Sequence, residues 1–199
     1  MLKLMSEEAT THLLSFSAGK KIAFLVLLYE RMIPELRSFC LTERRDFSVF
    51  QNARKEFWQW FMGDDSLISW GQFREDILSA TPNSEDFGTL VALFALNAAL
   101  VAADIAGFIE DGRDNHIVEA IGYARDSLDA YAINELRAAV FNHIVEDYVK
   151  AHPLVQKEGR TEEKDVALLS AMQDTPWPEN VVSLLRHRAE TQDSLLGNA

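Results

Sequence analysis

Apolar residues recur every three or four positions along nearly the whole chain, the period of an α-helix, and no stretch alternates as a half-buried strand would. The pattern predicts a first strong helix from Gly19 or Lys20 to Met32, carrying the unbroken apolar run Ile22 to Leu28. Pro34 is expected to end or kink it, because proline lacks the N–H and its ring crowds the carbonyl of Glu30. Helical spacing then resumes to about Thr42. The next helix is expected from an Asp46 cap to Met62, stopped by Gly63, with Phe47, Phe50, Phe57, Trp58 and Phe61 on one inward stripe. A shorter helix should follow from Ser66 to Ala80, before Pro82. The most apolar stretch, Ser84 to Glu110, is predicted as one helix capped by Asn83 or Ser84. It is apolar nearly all round, which marks it as the buried centre.

Beyond Gly112 the helical pattern runs from Asn115 to Ala151, and its apolar seam changes phase between Ala132 and Glu135, so a bend or break belongs there. His152-Pro153 opens a helix reaching about Gln173, with Gly159 as a point of interruption. TPWP (Thr175 to Pro178) is a rigid turn before a last helix over Glu179 to Glu190. Residues 1–17 read as a weakly patterned arm and 191–199 as a fraying tail. The expected fold is all-α: one domain over 1–199, six to eight helices bundled around an Ala-rich central helix.

Composition changes this picture little: 48% hydrophobic, 25% charged, with 9 Gly and 5 Pro in 199 residues, as long helices and short connections require. Charge changes it more. Nineteen basic against 31 acidic residues give −12, a field that repels phosphate backbones and anionic lipid, and the short basic stretches ERRD and LLRHR are flanked by acids. Neither nucleic acid nor a membrane surface is an expected partner. Asn97, Asp104 and the density of alanine argue against the central helix as a bilayer span. KKIAFLVLL lacks a small-residue cleavage site and reads as core, not as an export signal, so the cytoplasm is the expected location. The lone Cys40 excludes an intrachain disulfide and reads as a buried thiol.

Three landmarks occur in fixed order: ERM followed by Pro34 and Phe39-Cys40; P-x-S-x-D-F (Pro82 to Phe87) before the Ala-rich helix; and HP-x-V-x-x-E (His152 to Glu158) at a late helix. Over roughly Ala23 to Asp174 the chain resembles the YjaG-like family, DUF416, of bacterial proteins without an assigned biochemical role. The resemblance implies an all-helical fold and a bacterial cytoplasmic setting, and it supplies no catalytic residues.

Recognisable catalytic constellations are absent: no His-Glu-x-x-His, no Gly-x-Ser-x-Gly, no phosphate-cradling glycine loop and no paired cysteines. The chain has no Glu-x-x-His, the motif from which helical bundles build di-iron sites. EDGRDNH (Glu110 to His116) has its glycine too early for a calcium loop and reads as a helix-to-helix turn. No metal and no cofactor are therefore expected; Glu30 with Asp104 would make only a weak hydrated cation site.

What remains is charge in apolar surroundings. Asn97 and Asp104, seven residues apart, share one face of the central helix, and a buried carboxylate there needs a partner. Arg31 on the other strongly apolar helix is the expected one. Glu30, Arg31, Asn97 and Asp104 thus form either a structural lock or the lining of a small polar-ligand pocket. Trp60 is the candidate for an exposed interface anchor. His116, His143 and His152 read as surface or cap residues, and His187 as solvated. The preferred reading is a non-enzymatic interaction protein, with a homodimer as the compatible assembly; the alternative is a ligand-binding or enzymatic bundle using the four polar residues.

Overall fold

The computed structural model describes residues 4–63, 68–137 and 143–197. Among them the chain forms ten helical elements and no strand: α1 (Glu7–Leu14), α2 (Ala18–Thr42), α3 (Ser48–Trp60), α4 (Trp70–Ala80), the single turn α5 (Ser84–Phe87), α6 (Leu90–Asp111), α7 (Asn115–Leu136), α8 (His143–Ala151), α9 (Pro153–Ser170) and α10 (Glu179–Thr191). The fold is all-α, with α6 at its centre and α2, α4 and α7 laid against it.

α6 is central because its surface is small. Ala92, Ala95, Ala98, Ala99, Ala102, Ala103 and Ala106 are all buried, and short side chains let neighbouring helix axes approach closely. By length and composition α6 could cross a bilayer, but most of its apolar window is covered by the rest of the protein. α2 lies antiparallel to it. The ring of Phe39 near the C-terminus of α2 meets Phe87 just before α6, while Lys21 near its N-terminus pairs with Asp114 just after α6. The residues from Gly19 to Met32 are all buried.

Four expectations about the elements need correction. Pro34 does not end its helix: α2 continues to Thr42, with Met32 before the proline and Leu36 after it both buried in the core. Burial of both flanks outweighs the one backbone hydrogen bond that proline removes. The predicted Ser84–Glu110 helix is two elements, because Gly88 takes the left-handed conformation (φ +58°) and Thr89 then caps α6 through the Ala92 N–H. Gly159 does not interrupt α9. The tail over 192–197 does not fray: Leu195 is buried and its N–H donates to the Arg31 carbonyl at 2.8 Å.

Other expectations agree with the structure. The aromatic stripe of α3 and its following turn buries Phe50, Phe57, Trp58 and Phe61 and half-buries Phe47; the cap position, expected at Asp46, falls on Phe47, and Asp46 instead accepts the Ser48 N–H at 2.8 Å. α7 ends at Arg137, in the left-handed conformation, close to the phase shift at 132–135. The predicted start at Ser66 lies outside the described residues. The arm before α2 is more ordered than its pattern implied: α1 is capped by Ser6, and Leu13 is fully buried.

Candidate functional site

The four polar residues singled out in the sequence are buried, and the structure sends them to four different places. Glu30 and Arg31 are adjacent in α2, so their side chains leave the helix about 100° apart and meet different neighbours. Glu30 turns to α3, where Arg54 Nε donates to it at 2.7 Å and Trp58 Nε1 at 2.7 Å; the Arg186 guanidinium covers the other part of that indole. Arg31 turns to α9 and α10. Its Nη2 donates to Glu158 Oε1 at 2.7 Å, and its Nη1 donates to Asp165 Oδ2 at 2.8 Å, to the Leu27 carbonyl and to Gln192. Asn97 donates to Ser127 Oγ at 3.0 Å, tying α6 to α7. The four do not line one pocket.

The expected Arg31–Asp104 ion pair does not form. Phe39 facing Phe87 and Lys21 facing Asp114 fix the antiparallel register of α2 on α6, and that register sets Arg31 near the level of Asn97. Asp104 is about two turns farther along, roughly 10 Å away. Its partner is His116 instead. Asp104 Oδ1 lies 2.9 Å from His116 Nδ1, and both side chains are buried.

This Asp104–His116 pair is the nucleus of a polar cluster where α6 turns through Gly112 into α7. Asp104 comes from two turns inside α6, and His116 and Glu119 come from the first turn of α7, three residues apart on one face. One donor atom each from Asp104, His116 and Glu119 lies within 4.8 Å of the others. Asp104 and His116 are buried, and Glu119 stands on the solvent side. The other ring nitrogen of His116, Nε2, is 3.3 Å from Asp111 Oδ2. Asp111 in turn is held by Arg113, whose hydrogen bonds keep its carboxyl below the ordinary range. Among the described residues, Asp104 Oδ2 is buried without a hydrogen-bond partner. Burial pushes the Asp104 carboxyl up to about 6, against the downward pull of the His116 hydrogen bond and charge. The nearby Tyr123 hydroxyl is raised as well, by burial first and then by the charges of Asp104 and Glu119.

α6 makes room for this cluster at Gly107. A Cβ at that position would fall 2.6 Å from His116 Cε1, so only glycine lets the imidazole lie flat on the helix. Gly107→Ala should therefore destabilise the protein by about 1–3 kcal/mol through overpacking, although alanine is the better helix former. Thermal or urea unfolding checks this. A variant more stable than the parent would show that His116 yields without cost.

Sequence reasoning missed this site for two reasons. Its place beside a helix start makes His116 an expected surface or cap residue, whereas the ring is buried against α6. The pair also carries the reverse of Glu-x-x-His: His-x-x-Glu places His116 and Glu119 on the same face. His152 is likewise buried; it caps α9 through the Leu154 N–H and contacts Glu135 at 2.9 Å. His143 and His187 are exposed, and Cys40 is a buried free thiol raised by that burial. Trp60 is half-buried, packed edge-on against Phe61.

The architecture has a close counterpart in the crystal structure of a DUF416 family protein from Shewanella baltica OS155, with a TM-score of 0.81 over 94% of this chain and 96% of that one. At 20% identity the likeness establishes a common fold. No curated protein matches the chain in sequence. The family model for DUF416, described as a protein of unknown function, matches residues 9–197, nearly the whole of α1 through the docked tail. The chain belongs to the DUF416 family.

Proposed function

We propose that this protein binds a divalent metal ion through Asp104, His116 and Glu119. The observation that carries the reading is Asp104 Oδ2, a buried carboxylate oxygen without a partner beside two further metal-type donors. A buried carboxylate with one oxygen left unpartnered is costly, and a cation bound through that group meets the demand. The spacing supports it. Two donors bound at about 2.0–2.1 Å and at right angles stand about 3 Å apart, and Asp104 Oδ1 and His116 Nδ1 are separated by 2.9 Å. A metal would thus replace the proton between them, and a carboxylate bound through both oxygens would bring the unpartnered Oδ2 onto the same ion. Asp111 on Nε2 then supplies the carboxylate that commonly orients a metal-bound imidazole from behind.

One imidazole and two carboxylates suit Mn²⁺, Fe²⁺ or Zn²⁺ better than the all-oxygen preference of Ca²⁺ or Mg²⁺. Three protein ligands with Glu119 at the solvent side leave coordination positions for water or a small oxygen-bearing ligand. This reading takes precedence over partner docking, since the proposed docking anchor Trp60 is half-buried against Phe61.

Calorimetric titration of chelator-treated full-length protein with MnCl₂ and ZnCl₂ tests it. One ion per chain is expected, with unfolding raised by about 5–10 °C at a hundredfold excess over Kd. Glu119→Ala, an exposed change that leaves the fold intact, should weaken binding at least about tenfold. Wild-type protein that takes up neither ion below millimolar, or a Glu119→Ala variant that binds as tightly as the parent, rules the reading out.

A further inference from the structure

A second polar site lies at the far side of α7, where that helix meets α8 and α9. A cavity of about 170 Å³ is lined by Arg125 of α7, Lys150 of α8, and Gln156, Gly159, Arg160 and Glu163 of α9. Three cations from three helices against one carboxylate is an unusual concentration in a chain with 19 basic and 31 acidic residues. The N-terminal segment closes one wall: the Leu4 carbonyl sits so near Gly159 that a Cβ there would be 2.3 Å away.

Arg125 distinguishes this cavity from a cluster of surface lysines and arginines. It is 7% exposed, and a guanidinium carries five N–H donors that need acceptors when buried. Its one hydrogen bond among the described residues runs from Nε to Asp129 Oδ2 at 3.2 Å, and Nη1 is buried with no partner. Two of the three cations have a carboxylate of their own, and Glu146 lies near Arg125 as well. Asp129 meets Arg125 through a single oxygen, Glu146 pairs with Lys150 at 2.9 Å in solvent, and Glu163 accepts the Ser6 N–H. Arg160 is exposed and has no ion pair among the described residues.

The geometry points to a phosphate-binding site in which Arg125 forms the buried floor and Lys150 and Arg160 form the rim. A planar guanidinium offering paired donors matches the oxygens of a phosphate, and two further cations complete its charge. The volume admits a phosphate group with a few attached carbons, which points to inorganic phosphate or a small phosphomonoester as the ligand. This site is separate from the proposed metal cluster, whose α7 residues His116 and Glu119 lie about two turns before Arg125 on that helix.

The test uses full-length protein with inorganic phosphate and glycerol phosphate as probes, and sodium chloride at equal ionic strength as the control. Either phosphate should raise the unfolding temperature by several degrees beyond chloride and broaden the ³¹P resonance of the ligand. A larger effect of glycerol phosphate identifies the monoester as the natural class, and a larger effect of inorganic phosphate identifies the free ion. Arg160→Ala and Lys150→Ala change exposed side chains, so both should fold normally and lose at least tenfold in apparent affinity. Equal stabilisation by chloride, or an Arg160→Ala Lys150→Ala double variant that retains the wild-type phosphate response, overturns the assignment.

Discussion

Arg31→Ala should destabilise the protein by about 3–5 kcal/mol, a large share of the roughly 5–15 kcal/mol typical of a domain. Arg31 is 2% exposed and faces three buried acids on α9: Glu158, Glu162 and Asp165. It holds two of them directly, Glu158 at 2.7 Å and Asp165 at 2.8 Å. Removing the guanidinium leaves Glu158 without its cation in a place water does not reach. Asp165 keeps Arg188, which donates to its other oxygen at 2.6 Å, so the loss centres on Glu158. The double change Arg31→Met with Glu158→Leu replaces charge by apolar volume on both sides and should recover much of the stability, because an absent pair costs less than half a pair. Urea denaturation of the parent, the single variant and the double variant measures both effects. An Arg31→Ala variant within about 0.5 kcal/mol of the parent would show that the carboxylates relax to solvent without it.

The contrast between this cluster and its sequence shows what was legible. The helical period, the Ala-rich centre and the α2–α6 contact follow from where apolar residues stand, and burial of Arg31 follows from the greasy run around it. Its partners do not, because they lie 127 and 134 residues away on a helix that looks solvent-facing. Within the polar stretch EGRTEEKD, Glu158, Glu162 and Asp165 are buried while Glu163 and Lys164 are exposed, and composition alone does not separate them. Spacing does: 158, 162 and 165 run at intervals of four and three, in line with the buried Val166 and Leu169. A stripe of acids that continues an apolar stripe is a buried acidic face awaiting cations. The same three-residue spacing sets His116 beside Glu119 at the start of α7, although there only the histidine is buried. Register was the other missing quantity. Arg31 and Asp104 both lie in the interior, as their apolar surroundings predict, but the offset of two helices about their contact is set by side-chain fit along its whole length, and two turns of offset move a charge beyond reach of its partner.

Glu162→Gln should stabilise the protein increasingly as pH rises. Glu162 is fully buried, and among the described residues neither carboxyl oxygen has a hydrogen-bond partner. Burial, followed by the charge of Glu158, drives its carboxyl well above the ordinary value of 4.5; Arg31 opposes this, and Asp165 and Glu163 reinforce it. Arg31 is already engaged by Glu158 and Asp165, so Glu162 is held as the neutral acid in the folded state. The folded protein then binds one proton more than the unfolded chain above pH 4.5, and stability must fall as pH rises from there toward the folded-state value. Below 4.5 both states carry the proton, and the carboxyl sets no pH slope. The loss is about 1.4 kcal/mol per pH unit while the folded-state acid stays neutral. Glutamine cannot ionise, so the stability difference between variant and parent should be small at pH 4 and widen at that slope above about pH 5, up to the pH at which Glu162 ionises in the fold. Paired unfolding curves at pH 4, 6 and 8 read it directly, and taking the difference cancels the carboxylates common to both proteins. A difference constant across that range would mean that Glu162 ionises in the fold as it does in water. The three acids around Arg31 would then have to find a second cation, which Arg188, committed to Asp165, does not supply.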